Sequence, residues 1–174
     1  MKKPKLVISS LTFDVALIAD ALHIGATEVV EAFGDGRGAW PFSEFWGRKL
    51  YDFIKHTNSN TPFSDGAFAL GQLGNAAISV KALTGKGVKF QQSKYVGVGR
   101  TSTKETLISS LEACDRVVVV DVTGFPVVRF IPIESTRLVS AAHTGRLKTG
   151  GWTRKSLMVW LEETYEISEL ILTL

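Results

Sequence analysis

The chain has 174 residues, 45% of them hydrophobic and 21% charged, with a net charge of +3. That is globular composition, and the length suits one domain with a proper core. The only cysteine, Cys114, excludes an intramolecular disulfide and a cysteine-based zinc cluster. The basic start Met1-Lys-Lys-Pro-Lys5 is followed by no adequate apolar run, and no long apolar span occurs, so the expectation is a soluble, cytoplasmic protein with no membrane segment.

In chain order, Leu6–Ile8 reads as a short strand. Asp14–Leu22 follows as a helix, with Val15, Ile18, Ala19 and Leu22 at helical spacing. His23-Ile24-Gly25 breaks it, and Ala26–Phe33 reads as a second helix. Two helices joined by a short glycine-containing turn have the layout of a helix-turn-helix, although the second carries Glu28 and Glu31 and no basic residue. Gly34–Gly38 is a loop whose glycines do not follow a strand, which excludes a phosphate cradle. A helix is expected from about Ser43 to His56, with Phe45, Trp46, Leu50 and Phe53 on its apolar face and Glu44 on its polar face.

Phe63–Leu83 reads as a hairpin. Asp65 opens its first apolar run, Gly71-Gln-Leu-Gly74 turns the chain, and Ile78-Ser79-Val80-Lys81 forms the second run. Thr84–Thr101 is rich in glycine and lysine. Ser102-Thr-Lys-Glu105 has the form of a capping box and starts a helix to about Cys114. Val117–Val122 is a continuous β-branched run, as in a strand buried on both faces. Gly124-Phe-Pro126 turns the chain into a further strand, Val127–Ile131. Thr136–Gly151 is expected as a basic loop and Thr153–Tyr165 as a last helix.

Charge is unevenly spread. No acid lies between Asp65 and Glu105, a window holding Lys81, Lys86, Lys89, Lys94, Arg100 and Lys104. None lies between Glu134 and Glu162, which enclose Arg137, Arg146, Lys148, Arg154 and Lys155. Two acid-free basic segments suit a polyanion such as DNA. Lys86, Lys89, Lys94, Lys104 and Lys148 fit phosphate contacts, Gln91 and Gln92 fit adenine edges, and Arg100 and Arg146 fit guanine. The plainer alternative is a solvated basic surface. His23, His56 and His143 share no metal-ligand spacing.

Asp65, then Ser79-Val80-Lys81 on the following strand, set in an order helix, strand, strand with lysine, helix, strand, strand, helix, resembles the PD-(D/E)XK nuclease superfamily, which includes type II restriction endonucleases and Holliday-junction resolvases. Ser79 stands where the usual pattern has a second carboxylate and resembles the serine variant of some restriction enzymes. The resemblance implies an α/β (α+β) fold with a restriction-endonuclease-like core, a central mixed sheet flanked by helices. It implies one nuclease domain over residues 1–174, with an N-terminal helical segment at about 13–38 and the core at about 43–139. The implied activity is Mg2+-dependent endonucleolytic cleavage of double-stranded DNA by a restriction enzyme acting as a homodimer. A structure-specific resolvase or repair nuclease is the alternative within enzymes, and a non-catalytic helix-turn-helix-like DNA-binding protein the alternative outside them. By the same resemblance Asp65 and the carbonyl of Val80 hold the metal, Lys81 activates water, and a further acid, Glu44 or Glu105, replaces the carboxylate missing at Ser79.

Overall fold

A computed structural model of the chain describes residues 2–35, 38, 45–51, 53–55, 66–68, 77–92, 95 and 100–173. The elements are β1 (Lys5–Thr12), α1 (Val15–Leu22), α2 (Ala26–Gly34), α3 (Gly47–Tyr51), β2 (Phe53–Lys55), β3 (Gly66–Phe68), β4 (Ala77–Leu83), α4 (Lys104–Glu112), β5 (Arg116–Asp121), β6 (Val127–Glu134), α5 (Ser135–His143), α6 (Arg154–Thr164) and β7 (Glu166–Leu172). All seven strands form one sheet in the order β2-β3-β4-β5-β6-β1-β7. β4 pairs with β5, and β1 with β7, in parallel; the remaining pairs are antiparallel. The architecture is α+β, a mixed sheet flanked by helices.

Period-two alternation divides the apolar side chains of the central strands between two layers. Leu6, Ile8, Leu83, Val117, Val119, Ile131 and Ile133 pack with Leu107 and Leu111 of α4, Leu138 of α5, and Leu157, Trp160 and Leu161 of α6. Leu11, Ile78, Val118, Val120, Val128 and Phe130 pack on the other face with Ala19, Val29, Trp46 and Leu50 from the α1–α3 side. The β-branched run of β5 is therefore buried on both faces, as its composition predicts.

Three expectations are corrected. The helix expected to reach His56 gives way before it: α3 ends at Tyr51, and Phe53–Lys55 pairs with β3, Phe53 opposite Phe68. His56 lies outside the described residues. The capping pair of α4 is Thr103 with Thr106, one residue beyond Ser102 and Glu105: Thr103 Oγ1 accepts from Thr106 N–H at 3.2 Å, and Thr106 Oγ1 accepts from Thr103 N–H at 2.9 Å. The expected basic loop contains α5, whose Leu138, Ala141 and Ala142 are buried at helical spacing. Beyond the last expected helix, Glu166–Leu172 forms β7, held along β1 from Lys5–Glu166 to Leu11–Leu172. β1 and β7 thus extend the sheet beyond the span 43–139 expected for the core. Among the described residues no helix is long and apolar enough to cross a membrane.

Candidate nucleic-acid interface

β4 carries the Ser79-Val80-Lys81 triplet between β3 and β5. Ser79 stands opposite Val117 and Lys81 opposite Val119, so both lie on the face that packs against α4–α6. Val80 lies on the opposite face, against the α1–α3 layer. Ser79 is buried, whereas Lys81 is half-buried and has no ion-pair partner among the described residues. Asp65 and Glu44 lie outside the described residues. β3 begins at Gly66, the residue after Asp65, and Gly66 pairs with Ile78, the residue before Ser79.

Glu105 is exposed in the first turn of α4. Hydrogen bonds from its own backbone N–H and then from the Thr103 hydroxyl hold its carboxyl below the usual carboxylate range. Its local partners thus belong to the helix start. Among the described residues no group of three or more His, Cys, Asp or Glu side chains stands close enough to hold a metal ion.

The two acid-free segments meet. Val88 N–H donates to the Trp152 carbonyl at 2.8 Å, and Trp152 N–H donates to the Val88 carbonyl at 3.0 Å. The Trp152 ring lies edge-on to Phe90, with centroids 5.6 Å apart, and 4.8 Å from the Trp160 ring. Glycine is required on both sides of this bridge. Gly87 (φ 92°) and Gly151 (φ 79°) are in the left-handed region. A Cβ at Gly87 would overlap the Trp152 carbonyl oxygen, and one at Gly151 the Val88 carbonyl oxygen. Lys104 Nζ adds a second link, donating to the His143 carbonyl at 3.0 Å.

A buried carboxylate anchors the same region from below. Asp121, 1% exposed at the end of β5, accepts from Arg154 Nε at 2.8 Å, Thr123 N–H at 3.0 Å and Thr123 Oγ1 at 2.6 Å. Val122 N–H donates to the Leu83 carbonyl at 3.2 Å. The first residue of α6 is thereby fixed beside the end of the strand that carries Lys81. This anchor escapes sequence reading, where Asp121 passes as the polar end of a β-branched run.

The residues expected to contact DNA divide into three groups. Lys86, Lys89 and Lys148 are exposed and make no side-chain ion pair among the described residues; Lys155 joins them, and Arg100 is also exposed. Lys104 and Arg146 are partly committed, the first to His143 and the second to a close ion pair with Glu163. Gln91 is corrected from a base reader to a helix-start clamp. It is 3% exposed, its Nε2 donates to the Thr103 carbonyl at 3.2 Å and Thr106 Oγ1 at 2.9 Å, and its Oε1 accepts from Ser102 Oγ at 2.7 Å. Gln92 is half-buried, its N–H donating to Ser110 Oγ at 3.3 Å. Lys94 lies outside the described residues.

Comparisons with protein-family models, curated proteins and solved structures give no match.

Proposed function

We propose that the chain is a metal-dependent endodeoxyribonuclease of the PD-(D/E)XK type, with double-stranded DNA as substrate. One observation carries the reading. The strand bearing Ser79-Val80-Lys81 runs directly into the Thr84–Gly87 turn, and the Val88–Trp152 bridge joins that turn to the second acid-free basic segment. The strand that carries a lysine for chemistry thus leads into a turn that carries lysines for phosphates, which supports the reading. The succession α3, β2, β3, β4, α4, β5, β6, α5 supports it as well.

The donor groups assigned from the sequence are all oxygens, the carboxylates of Asp65 and Glu44 with the carbonyl of Val80. Such a set fits a hard cation such as Mg2+. Cys114, the one thiol, is buried with its Sγ 3.2 Å from Ser135 Oγ. A bound divalent ion supplies activation of water and stabilisation of the leaving oxygen. The chain's own part falls to Lys81, whose ammonium orients the attacking water and offsets the charge that develops on the phosphorus oxygens. Ser79 is too short and neutral to share that load, so Glu44, with Glu105 behind it, completes the donor set. One chain offers one site, and cutting both strands calls for two copies arranged symmetrically.

The test is incubation of the protein with supercoiled plasmid and with a four-way junction, in Mg2+ or EDTA, beside Asp65→Ala and Lys81→Ala. Discrete plasmid fragments in Mg2+ that vanish in both variants are expected. Cutting confined to the junction points to a resolvase. Undiminished cutting by Asp65→Ala and Lys81→Ala overturns the site.

A further inference from the structure

β7 ends the sheet on an edge that nothing in its sequence blunts. β1 is its one described neighbour, and the two run in unbroken register from Lys5–Glu166 to Leu11–Leu172. The opposite edge, β2, is three residues long and ends on Lys55, a form in which sheets protect their edges. β7 has seven residues, no bulge against β1, and no lysine, arginine, proline or glycine. No described strand takes its outer row of N–H and C=O groups. Leu170 and Ile171 on it are 50% and 77% exposed. They lie on opposite faces of the sheet. Ile171 shares the face of Ile167, which packs on the α4–α6 side, and Leu170 that of Leu172, which packs on the α1–α3 side. A partner laid on either face would cover one of them and leave the other in water. An added strand flanks both.

We infer that β7 pairs antiparallel with β7 of a second copy of this chain, continuing the sheet across a twofold axis at Ile171. The strand is self-complementary in that register. Ile171 stands opposite its own copy, Leu170 opposite the partner subunit's Leu172, and Glu169 opposite the partner subunit's Thr173. Large apolar side chains then meet across the new strand pair on both faces of the sheet. Charge permits the approach. Glu166 lies beyond the paired stretch, and the Glu169 carboxylate already accepts from the Ser10 hydroxyl and from Arg129 Nε at 3.2 Å. With Glu169 paired inside its own chain, the stretch offers no free charge that would select a cationic strand of another protein instead. A register centred on Glu169 sets acid against acid, which disfavours it. The pairing is isologous and uses up the edge, so it stops at two copies. It does not rest on the nuclease reading.

The test is sedimentation equilibrium of the full chain across a range of concentrations, without DNA or divalent metal, so that its outcome is separate from any cleavage assay. A monomer–dimer equilibrium is expected. Ile171→Lys is expected to weaken it at least about tenfold, because each copy then sets an ammonium against its twin at the axis. The far-UV circular dichroism spectrum should be unchanged, since Ile171 is 77% exposed. Ile171→Cys gives a second readout. Cys114 is buried, and residues directly opposite on antiparallel strands have Cα atoms about 4.5–5.5 Å apart, within disulfide reach. Air oxidation should therefore link Ile171→Cys into a covalent dimer. Val159→Cys, on the exposed side of α6 at 44% exposure, should stay monomeric on the same non-reducing gel. A monomer at every concentration overturns the inference and leaves the edge to a strand of another protein. A dimer that Ile171→Lys does not weaken and Ile171→Cys does not link overturns it too, because the copies then meet elsewhere.

Discussion

Val88 and Trp152 exchange backbone hydrogen bonds in both directions, 2.8 and 3.0 Å, and so bring together two basic segments that are separate in sequence. The lysines on either side of the bridge, Lys86 and Lys89 on one strip and Lys148 and Lys155 on the other, follow from it. Remove the bridge and each strip becomes an ordinary charged loop.

Gly151→Ala tests that dependence. The new Cβ would overlap the Val88 carbonyl oxygen, and φ of 79° strains any residue but glycine. The expected cost is about 1–3 kcal/mol, read as a lower urea midpoint, with weaker DNA binding in the fraction that stays folded. Gly150→Ala is the control. Its Cβ meets nothing within 4 Å, and stability should stay within about 0.5 kcal/mol of the parent.

Arg154→Ala should destabilise through the partner it leaves behind. Asp121 is 1% exposed, and the guanidinium, 44% exposed, is its only cationic partner among the described residues. Thr123 still donates two hydrogen bonds, which limits the loss to about 2 kcal/mol. Arg154→Lys should recover part of it, since one ammonium can replace the single Nε contact. Urea unfolding at neutral pH measures both.

Acid should loosen the β1–β6–β7 side of the sheet. The Ser10 hydroxyl, and after it Arg129 at 3.2 Å, hold the carboxyl of Glu169 below its ordinary range. A carboxyl whose folded pKa lies below its unfolded value stabilises above the unfolded value, about 4.3, and loses that contribution as pH falls through the folded value. Glu169 is half exposed, so solvent keeps the effect small. Glu169→Gln should flatten the fall in Tm below about pH 4.3 and leave the curve near pH 7 parallel to that of the parent.

Alkali acts with the opposite sign. Burial pushes the phenol of Tyr51 up to about 12, with the hydrogen bond to Ser9 pulling the other way. A folded pKa above the unfolded value of about 10 gives stability that is complete below about pH 10 and lost as pH rises through 12. Tyr51→Phe should reduce that alkaline slope and leave the share of Tyr165, whose phenol is also pushed up to about 12 by burial. It also removes the hydroxyl's bond to the Phe130 carbonyl, 3.3 Å, at a cost of about 1 kcal/mol at neutral pH.

The sequence announced elements wherever local signals and packing agree. Asp14 caps α1 through the N–H groups of Ala16 and Leu17, and the β-branched run of β5 lies in the sheet interior. It misled where pairing partners are remote. Phe53–Lys55 continues an apolar helical pattern, yet β3 draws it into the sheet. Glu166–Leu172 has no alternation worth the name, yet β1 accepts it along its full length. α5 was masked by its own charge and by Gly145, which stands just past its end with φ 73°. At the candidate site the strand placement of Ser79 and Lys81 was legible from period two. The bridge between the basic segments was not, because a contact between Val88 and Trp152 leaves no local trace beyond the two glycines beside it.

Gln91 separates recognition from architecture. Its side chain spends three hydrogen bonds on Ser102, Thr103 and Thr106 at the start of α4, while Lys86 and Lys148 stand exposed on either side of the bridge. Gln91→Ala should therefore lower stability by about 1–3 kcal/mol, since it strips partners from a buried helix start, and leave the order of preference among DNA sequences unchanged. Lys86→Ala and Lys148→Ala should do the reverse. Each should leave Tm within a degree or two, weaken binding evenly across sequences, and reduce the slope of log affinity against log salt by about 1. Titrating a fluorescent duplex at several salt concentrations measures all three. A Gln91→Ala protein of unaltered stability with changed sequence preference would return this residue to the base-reading role its sequence context first suggests.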